Sequence, residues 1–242
     1  MTRTVEPMPA LTGAQMATVD RIMVDEFGLQ VLQIMEVAGL AVARFSRTRF
    51  LDGDPRGRRV VVMVGGGGNG GDGLVAARYL HGWGASTEVW LALDPATLGG
   101  AAAHQMLAVD ALGIPVRPPV GSAVLPVVDL VIDALLGFGL RAAPTGAFAD
   151  LIRAANDQPA PVLAVDLPSG LDATTGERFA PCVRATATLT LALPKTGLMR
   201  PDAAAVVGEL ALADIGIPPA AYTSLGFDIG PIFAVDEFVR LG

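Results

Sequence analysis

The stretch Val60–Leu80 reads VVVMVGGGGNGGDGLVAARYL. Val60–Val64 is an apolar, strand-like run, and a helical pattern covers Leu74–Trp83. Between them stand seven glycines, Asn69 and Asp72. A parallel strand that enters a helix through glycines brings several backbone N–H groups to one point. The helix N-terminus adds partial positive charge there, and the pair makes a phosphate site. The segment GGGGNGG contains G-x-G-x-x-G twice, at Gly65, Gly67, Gly70 and at Gly66, Gly68, Gly71, although so many glycines meet that pattern easily. No Lys-Ser or Lys-Thr follows, so it is not a Walker A loop. Asp72 is discordant, because a carboxylate beside a pyrophosphate repels it unless a cation or an N–H donor intervenes. Its bland reading is a first-turn charge on the helix dipole.

Outward from this loop, apolar runs alternate with helical patterns. Thr87–Leu93, Val127–Ile132 and Val162–Val165 read as strands, and Ala101–Leu112 and Ala147–Ala155 as helices. Strands buried on both faces and joined by helices imply a mostly parallel sheet with helices on both sides. Ala185–Leu193 and Val206–Ala213 read as further strands. Before the first strand, Thr12 is an N-cap for a helix carrying Met16, Val19, Ile22 and Met23, ended by Gly28. A second helix carries Val31, Ile34, Met35, Ala38 and Val42. The pair forms an N-terminal helical extension, and residues 1–10 are a flexible start. No linker divides residues 1–242, so one domain is expected.

Two more carboxylates close apolar strands just before glycine-containing loops. They are Asp133 in VVDLVIDALLGFGL and Asp166 in APVLAVDLPSGLDA. In open α/β sheets that edge binds ligands. With Asn69 and Ser169 in neighbouring loops they make an oxygen-rich group suited to a hard cation, monovalent or Mg²⁺. An ordinary dinucleotide fold competes, with Asp94 as its ribose acid.

The chain has 242 residues, 52% of them hydrophobic and 17% charged, which fits a large core and excludes disorder. Net charge is −7, unfavourable for nonspecific nucleic-acid binding. The arginine-rich segments near Arg44–Arg49 and Arg56–Arg59 read as solvated faces. The apolar run Val124–Leu140 holds Asp129, Asp133, Pro126 and Gly137, so no membrane span is expected. The start lacks a signal-peptide pattern, and the lone Cys182 precludes an internal disulfide; a cytoplasmic protein is expected. His81 and His104 read as helix-surface residues and Cys182 as an inert thiol. Asp172 caps a turn, and Lys195 in LPKTG either meets a phosphate or is solvated. The Met- and Val-rich N-terminal helices offer a possible homodimer contact.

In order, GGGGNGGDGLVAAR, DALLGFGL and DLPSGLDATTG resemble three loops of the NAD(P)H-hydrate epimerase family, the YjeF N-terminal domain. LTGAQMATVDRIMVDEFG and IMEVAG resemble its start, and LPKTGLMRP with VGELALADIGIP its end, so the likeness covers nearly the whole chain. The resemblance implies a Rossmann-like three-layer fold. It implies an epimerase interconverting R and S forms of hydrated NADH and NADPH (NADHX and NADPHX), coupled to a separate dehydratase that repairs only the S form. It implies one potassium ion held by Asn69, Asp133 and Ser169. Substrate is expected at Gly68, Asn69, Gly70, Gly71 and Asp72, at Gly137, Phe138, Gly139, Leu140 and Arg141, and at Asp166, the expected proton-transfer group. No part of the sequence resembles the dehydratase domain fused in some relatives.

Three positions depart from the family pattern. Gly68 replaces an Asn, Phe138 a Thr, and Val37 an Asn. The potassium positions are intact. The alternative these departures raise is a nucleotide- or partner-binding module that has lost turnover. A hydride-transferring dehydrogenase fits Asp72 and Asp166 poorly. Inverting C6, which bears ring nitrogen and hydroxyl, proceeds through an open aldehyde or through loss of hydroxide to an iminium. Either route moves a proton, which a carboxylate accelerates by about 10²–10⁴-fold.

Overall fold

The computed structural model describes residues 3–4, 8–119, 121 and 123–241. Two helices come first after the short strand β1 (Arg3–Thr4): α1 (Gly13–Asp25) and α2 (Val31–Phe50). Thr12 closes a capping box with Gln15 at the start of α1, so one expected N-cap is in place. The main alternation then runs β2 (Arg59–Val64), α3 (Gly68–Gly82), β3 (Ser86–Leu91), α4 (Gly100–Ala111), β4 (Val116–Arg117), β5 (Leu130–Ala134), α5 (Gly146–Asn156), β6 (Val162–Val165) and β7 (Ala187–Leu191). It ends with α6 (Ala204–Val207), β8 (Glu209–Ala213), α7 (Ala220–Thr223) and β9 (Phe238–Leu241).

The described strands form one nine-stranded sheet in the order β1-β9-β8-β7-β6-β5-β2-β3-β4. From β4 through to β8 all neighbours are parallel; β9 runs antiparallel to β8, and β1 pairs parallel with β9. Strand residues sort by the period of two. Val60, Val62 and Val64 join the core shared with α1, α2, α3 and α4, whereas Val61 and Met63 pack with Leu151 and Ile152 of α5. Helices therefore cover both faces, giving three layers. The chain steps outward from β2 in one direction through β3 and β4, and from β5 in the other through β6, β7 and β8. The switch point lies between β2 and β5, and a crevice forms there beyond the strands' carboxyl ends.

Several expectations need correction. α3 begins at Gly68, six residues before Leu74. Glycine is a poor helix former, but here close packing decides: a Cβ on Gly70 would stand 1.9 Å from Gly65 O, and one on Gly71 2.4 Å from Met35 Cε. The strand expected from Val127 starts at Leu130, since Val127 is exposed and burial on both faces begins only at Leu130. The run from Val206 divides into α6 and β8, turned by Gly208 at φ +65°. β4 and β9 are too short to announce themselves. Arg3–Thr4 is paired in the sheet; residues 1, 2 and 5–7 of the expected flexible start lie outside the described residues. Among the described residues, no helix is long and apolar enough to cross a membrane. Of the exposed apolar residues in the N-terminal extension, Val24 and Val31 line the crevice, and Phe27 and Val37 do not.

Candidate active site

The crevice is a cavity of about 610 Å³. Gly66, Gly67, Gly68 and Asn69 at the start of α3 form one wall, and Gly137, Phe138, Gly139 and Leu140 after β5 a second. Met16, Asp20 and Val24 of α1, with Val31, Ile34 and Met35, form a third. Asp166, Leu191, Ala192 and Lys195 also face it. The cavity is thus apolar over much of its lining, with a helix N-terminus and a group of charges set into it.

The first backbone N–H groups of α3 have no partner within the helix. A Cβ at Gly67 or Gly68 would meet nothing within 4 Å, so no packing within the protein demands glycine there. Space beside an N-terminal backbone is what a close-lying anion requires. Gly70 and Gly71 do not line the cavity; their small size serves the packing of α3 onto Gly65 and Met35. Arg141 also stands outside the lining, its guanidinium donating to the carbonyls of Phe138 and Leu140. Of the three departures, Val37 is exposed away from the cavity, while Phe138 and Gly68 line it.

Asp166 follows β6 with φ +65°, left-handed for a non-glycine residue. That conformation costs about 1–2 kcal/mol, and strain of this sort is kept where a side chain must be aimed. Its Oδ1 accepts from Thr190 Oγ1 at 3.1 Å, from the Leu191 N–H at 3.2 Å and from Lys195 Nζ. No hydrogen bond among the described residues involves Oδ2. Lys195 is 1% exposed and also donates to Leu191 O at 2.8 Å. The expectation of a solvated lysine does not hold: Lys195 is buried and its ammonium is engaged by Asp166.

Two other carboxyls share the cavity. Burial, then the charges of Asp166 and Asp20, push the Asp72 carboxyl well above its ordinary value, against the opposing pull of Lys195. The apolar walls push the Asp20 carboxyl up to about 6; Lys195 opposes that shift and Asp166 adds to it. Asp20 and Lys195 were not among the expected site residues. Lys195 follows the end of a buried strand at the same edge as Asp133 and Asp166, which is the one local signal that marks it. Asp20 sits beside the apolar stripe of α1 and reads there as an ordinary polar flank.

Beneath the cavity, Asp133 is fully buried. It accepts from Ser169 Oγ at 2.6 Å, Ser169 N–H at 2.8 Å and Leu135 N–H at 3.3 Å, and Ser169 Oγ in turn accepts from Leu136 N–H at 2.9 Å. Burial still pushes its carboxyl up to about 6 against these donors. The Asn69 side chain packs where a Cβ on Gly137 would touch it at 3.4 Å, and both of its amide heteroatoms are buried with no partner among the described residues. A buried unpaired amide is costly, and a carboxylate with no cation is costly too. This oxygen-bearing donor set, with a single carboxylate, fits a hard cation.

The remaining candidates resolve simply. Asp94 caps the 3₁₀ turn Pro95–Thr97 by accepting from Ala96 N–H. Asp172 accepts from the N–H groups of Thr174 and Thr175, as expected of a turn cap. Cys182 has its thiol pushed up to about 12 by burial, then by the charge of Asp133, and is inert as a nucleophile. His104 is exposed and His81 half-buried at the end of α3; neither lines the cavity.

The family profile described as YjeF-related protein N-terminus matches residues 31–197. The chain belongs to this family. It is 41% identical over 221 residues to the NAD(P)H-hydrate epimerase of Dehalogenimonas lykanthroporepellens, covering 89% of this chain and 85% of that one. It is 37% identical over 205 residues to the NAD(P)H-hydrate epimerase of Limosilactobacillus fermentum, covering 85% of this chain and 96% of that one. Against the Bifunctional NAD(P)H-hydrate repair enzyme Nnr of Moorella thermoacetica it is 39% identical over 218 residues, 87% of this chain but 41% of the relative. The chain thus spans about two fifths of the length of that bifunctional YjeF-related protein. The crystal structure of the yeast protein ynu0 shares the fold, with a TM-score of 0.78 at 22% identity over 97% of this chain and all of that one.

Proposed function

We propose that this chain is an isomerase that interconverts the R and S epimers of hydrated NADH and NADPH. The observation that carries the reading is Asp166, left-handed at φ +65° on the floor of the switch-point cavity, with Oδ1 bonded by three donors and Oδ2 left to the cavity. The family and its stand-alone epimerases at 37–41% identity support the same reading.

In this reading the substrate pyrophosphate lies against the N–H groups of Gly67, Gly68 and Asn69, where the helix dipole and the open glycine surface accept it. The hydrated nicotinamide ring lies deeper, among the apolar walls and against Asp166. Asp166 Oδ2 takes the proton of the C6 hydroxyl. The electron pair left on oxygen closes a C=O bond as the C6–N1 bond breaks, and N1 takes a proton. Asp72, whose carboxyl burial pushes well above its ordinary value, is the proposed donor. Rotation of the aldehyde presents its other face, and each step reverses to give the opposite epimer. No electrons leave the substrate.

Asn69, Asp133 and Ser169 would hold a potassium ion, which would offset the Asp133 charge and brace the three segments that carry them. An S-specific dehydratase consumes the product, as a separate protein or as part of a longer chain. With a lone cysteine and no disulfide, the enzyme suits the reducing cytoplasm, where NADH and NADPH are damaged. The reading is tested by adding the protein to one purified epimer and following the other by NMR. Equilibration far faster than the spontaneous rate is expected; a rate equal to the spontaneous one overturns the reading.

A further inference from the structure

Lys195 occupies an unusual position for a lysine. It is 1% exposed, and its ammonium lies among three carboxyl groups that face one cavity: Asp166 after β6, Asp72 on α3 and Asp20 on α1. It bonds only to Asp166 among them, and to Leu191 O at 2.8 Å. Its backbone is fixed as tightly as its side chain. Leu11 N–H donates to Pro194 O at 2.8 Å and Thr196 N–H donates to Leu11 O at 2.8 Å, so the segment before α1 and the segment around Lys195 form a parallel bridge. Ala192, one residue after β7, is left-handed at φ +67° and turns the chain so that Lys195 returns to the sheet edge. Two strained residues, Asp166 and Ala192, thus meet at one ion pair.

A free aspartate carboxylate turns readily about its last torsion, which is broad and two-fold. Here all three donors go to Oδ1, and two of them, Thr190 Oγ1 and Leu191 N–H, are neutral and longer than 3.0 Å. The charged donor is Lys195, and charge-assisted bonds are the stronger kind. We propose that Lys195 is the positioning residue for Asp166: by holding Oδ1 it presents Oδ2 to the substrate, and Leu11 braces it from the N-terminal extension. This rests on the reading of Asp166 as the proton-transfer group.

The test is a mutant cycle of Lys195→Met, Asp166→Asn and the double variant, with Lys195→Arg as the conservative control. Epimerisation of NADHX is measured as kcat and KM separately. Lys195→Met is expected to lower kcat by about 10²-fold while KM changes less than about twofold, because the lysine shapes the transition state through Asp166 and not through ground-state binding. Lys195→Arg keeps the charge and recovers part of the loss. In the double variant kcat equals that of Asp166→Asn alone, since a residue acting only through Asp166 has nothing left to position. Losses that multiply in the double variant overturn the proposal, and so does a Lys195→Met enzyme with wild-type kcat. Should Lys195→Met alone not fold, for want of a partner to a buried carboxylate, the double variant removes both charges and the comparison with Asp166→Asn still decides. A crystal structure of Lys195→Met or Lys195→Arg reads the same claim without turnover: an Asp166 carboxylate turned from its wild-type orientation in the methionine variant supports it, and an unmoved one overturns it. An inactive wild-type protein would sink the epimerase reading and leave that structural result standing.

Discussion

Asp166 combines features that rarely coincide: burial, a left-handed backbone, and a carboxylate with one oxygen committed and the other not. Replacing it by Asn keeps shape and hydrogen bonding but removes proton acceptance. Asp166→Asn is expected to lower kcat by about 10²–10⁴-fold with KM nearly unchanged; steady-state kinetics at saturating substrate checks this, and wild-type kcat would move the chemistry to Asp72. The cation site makes a separate prediction. The buried Asn69 amide has no partner among the described residues, and the buried Asp133 is held by donors from Ser169 and Leu135 alone among them. Crystals soaked in rubidium or thallium should show anomalous density between Asn69, Asp133 and Ser169, and density only elsewhere on the surface counts against the assignment. Asp133, Asp166, Asn69 and Ser169 were legible because strand ends of a parallel sheet converge on one edge. Lys195 and Asp20 were not, because nothing in LPKTG or in α1 says that a buried carboxylate lies opposite. Their roles depend on contacts between segments far apart in sequence.

The glycines of α3 divide by what surrounds them. Gly70 packs its backbone on Gly65 O, whereas Gly67 and Gly68 face open space at the helix start. Gly70→Ala is therefore expected to destabilise the fold by about 1–3 kcal/mol through overpacking, read as a lower denaturant midpoint. Gly67→Ala meets no atom, and its backbone is extended at φ −97°, so stability should be unchanged. Its methyl stands instead where substrate phosphate is expected, and KM should rise about tenfold, the equivalent of 1.4 kcal/mol. A Gly67→Ala enzyme with wild-type KM would show that the pyrophosphate lies elsewhere. The sequence motif alone could not separate these glycines. Each satisfies the same expression, and only the three-dimensional neighbours say which are small for packing and which are small for a ligand. The same limit placed the start of α3 at Leu74, because propensity disfavours glycine while tight packing on β2 and α2 demands it.

At the scale of the molecule, the parallel sheet and its two helical layers were legible from the alternation of apolar runs with 3.6-residue patterns. The switch point followed only from the strand order, which no local pattern contains. The short strands β4 and β9 were silent because two and four residues carry little periodicity. The N-terminal extension is more than packing, since Leu11 braces Lys195 and α1 walls the cavity with Met16, Asp20 and Val24. Cavity, strained aspartate and helix N-terminus thus sit together at the switch point of the sheet. The most direct test is to mix the protein with R-form NADHX and an S-specific dehydratase and follow total consumption. The account predicts that all of the hydrate is consumed, far faster than spontaneous epimerisation allows. Consumption that stops at the share of S form initially present, with the protein folded and potassium supplied, would contradict it.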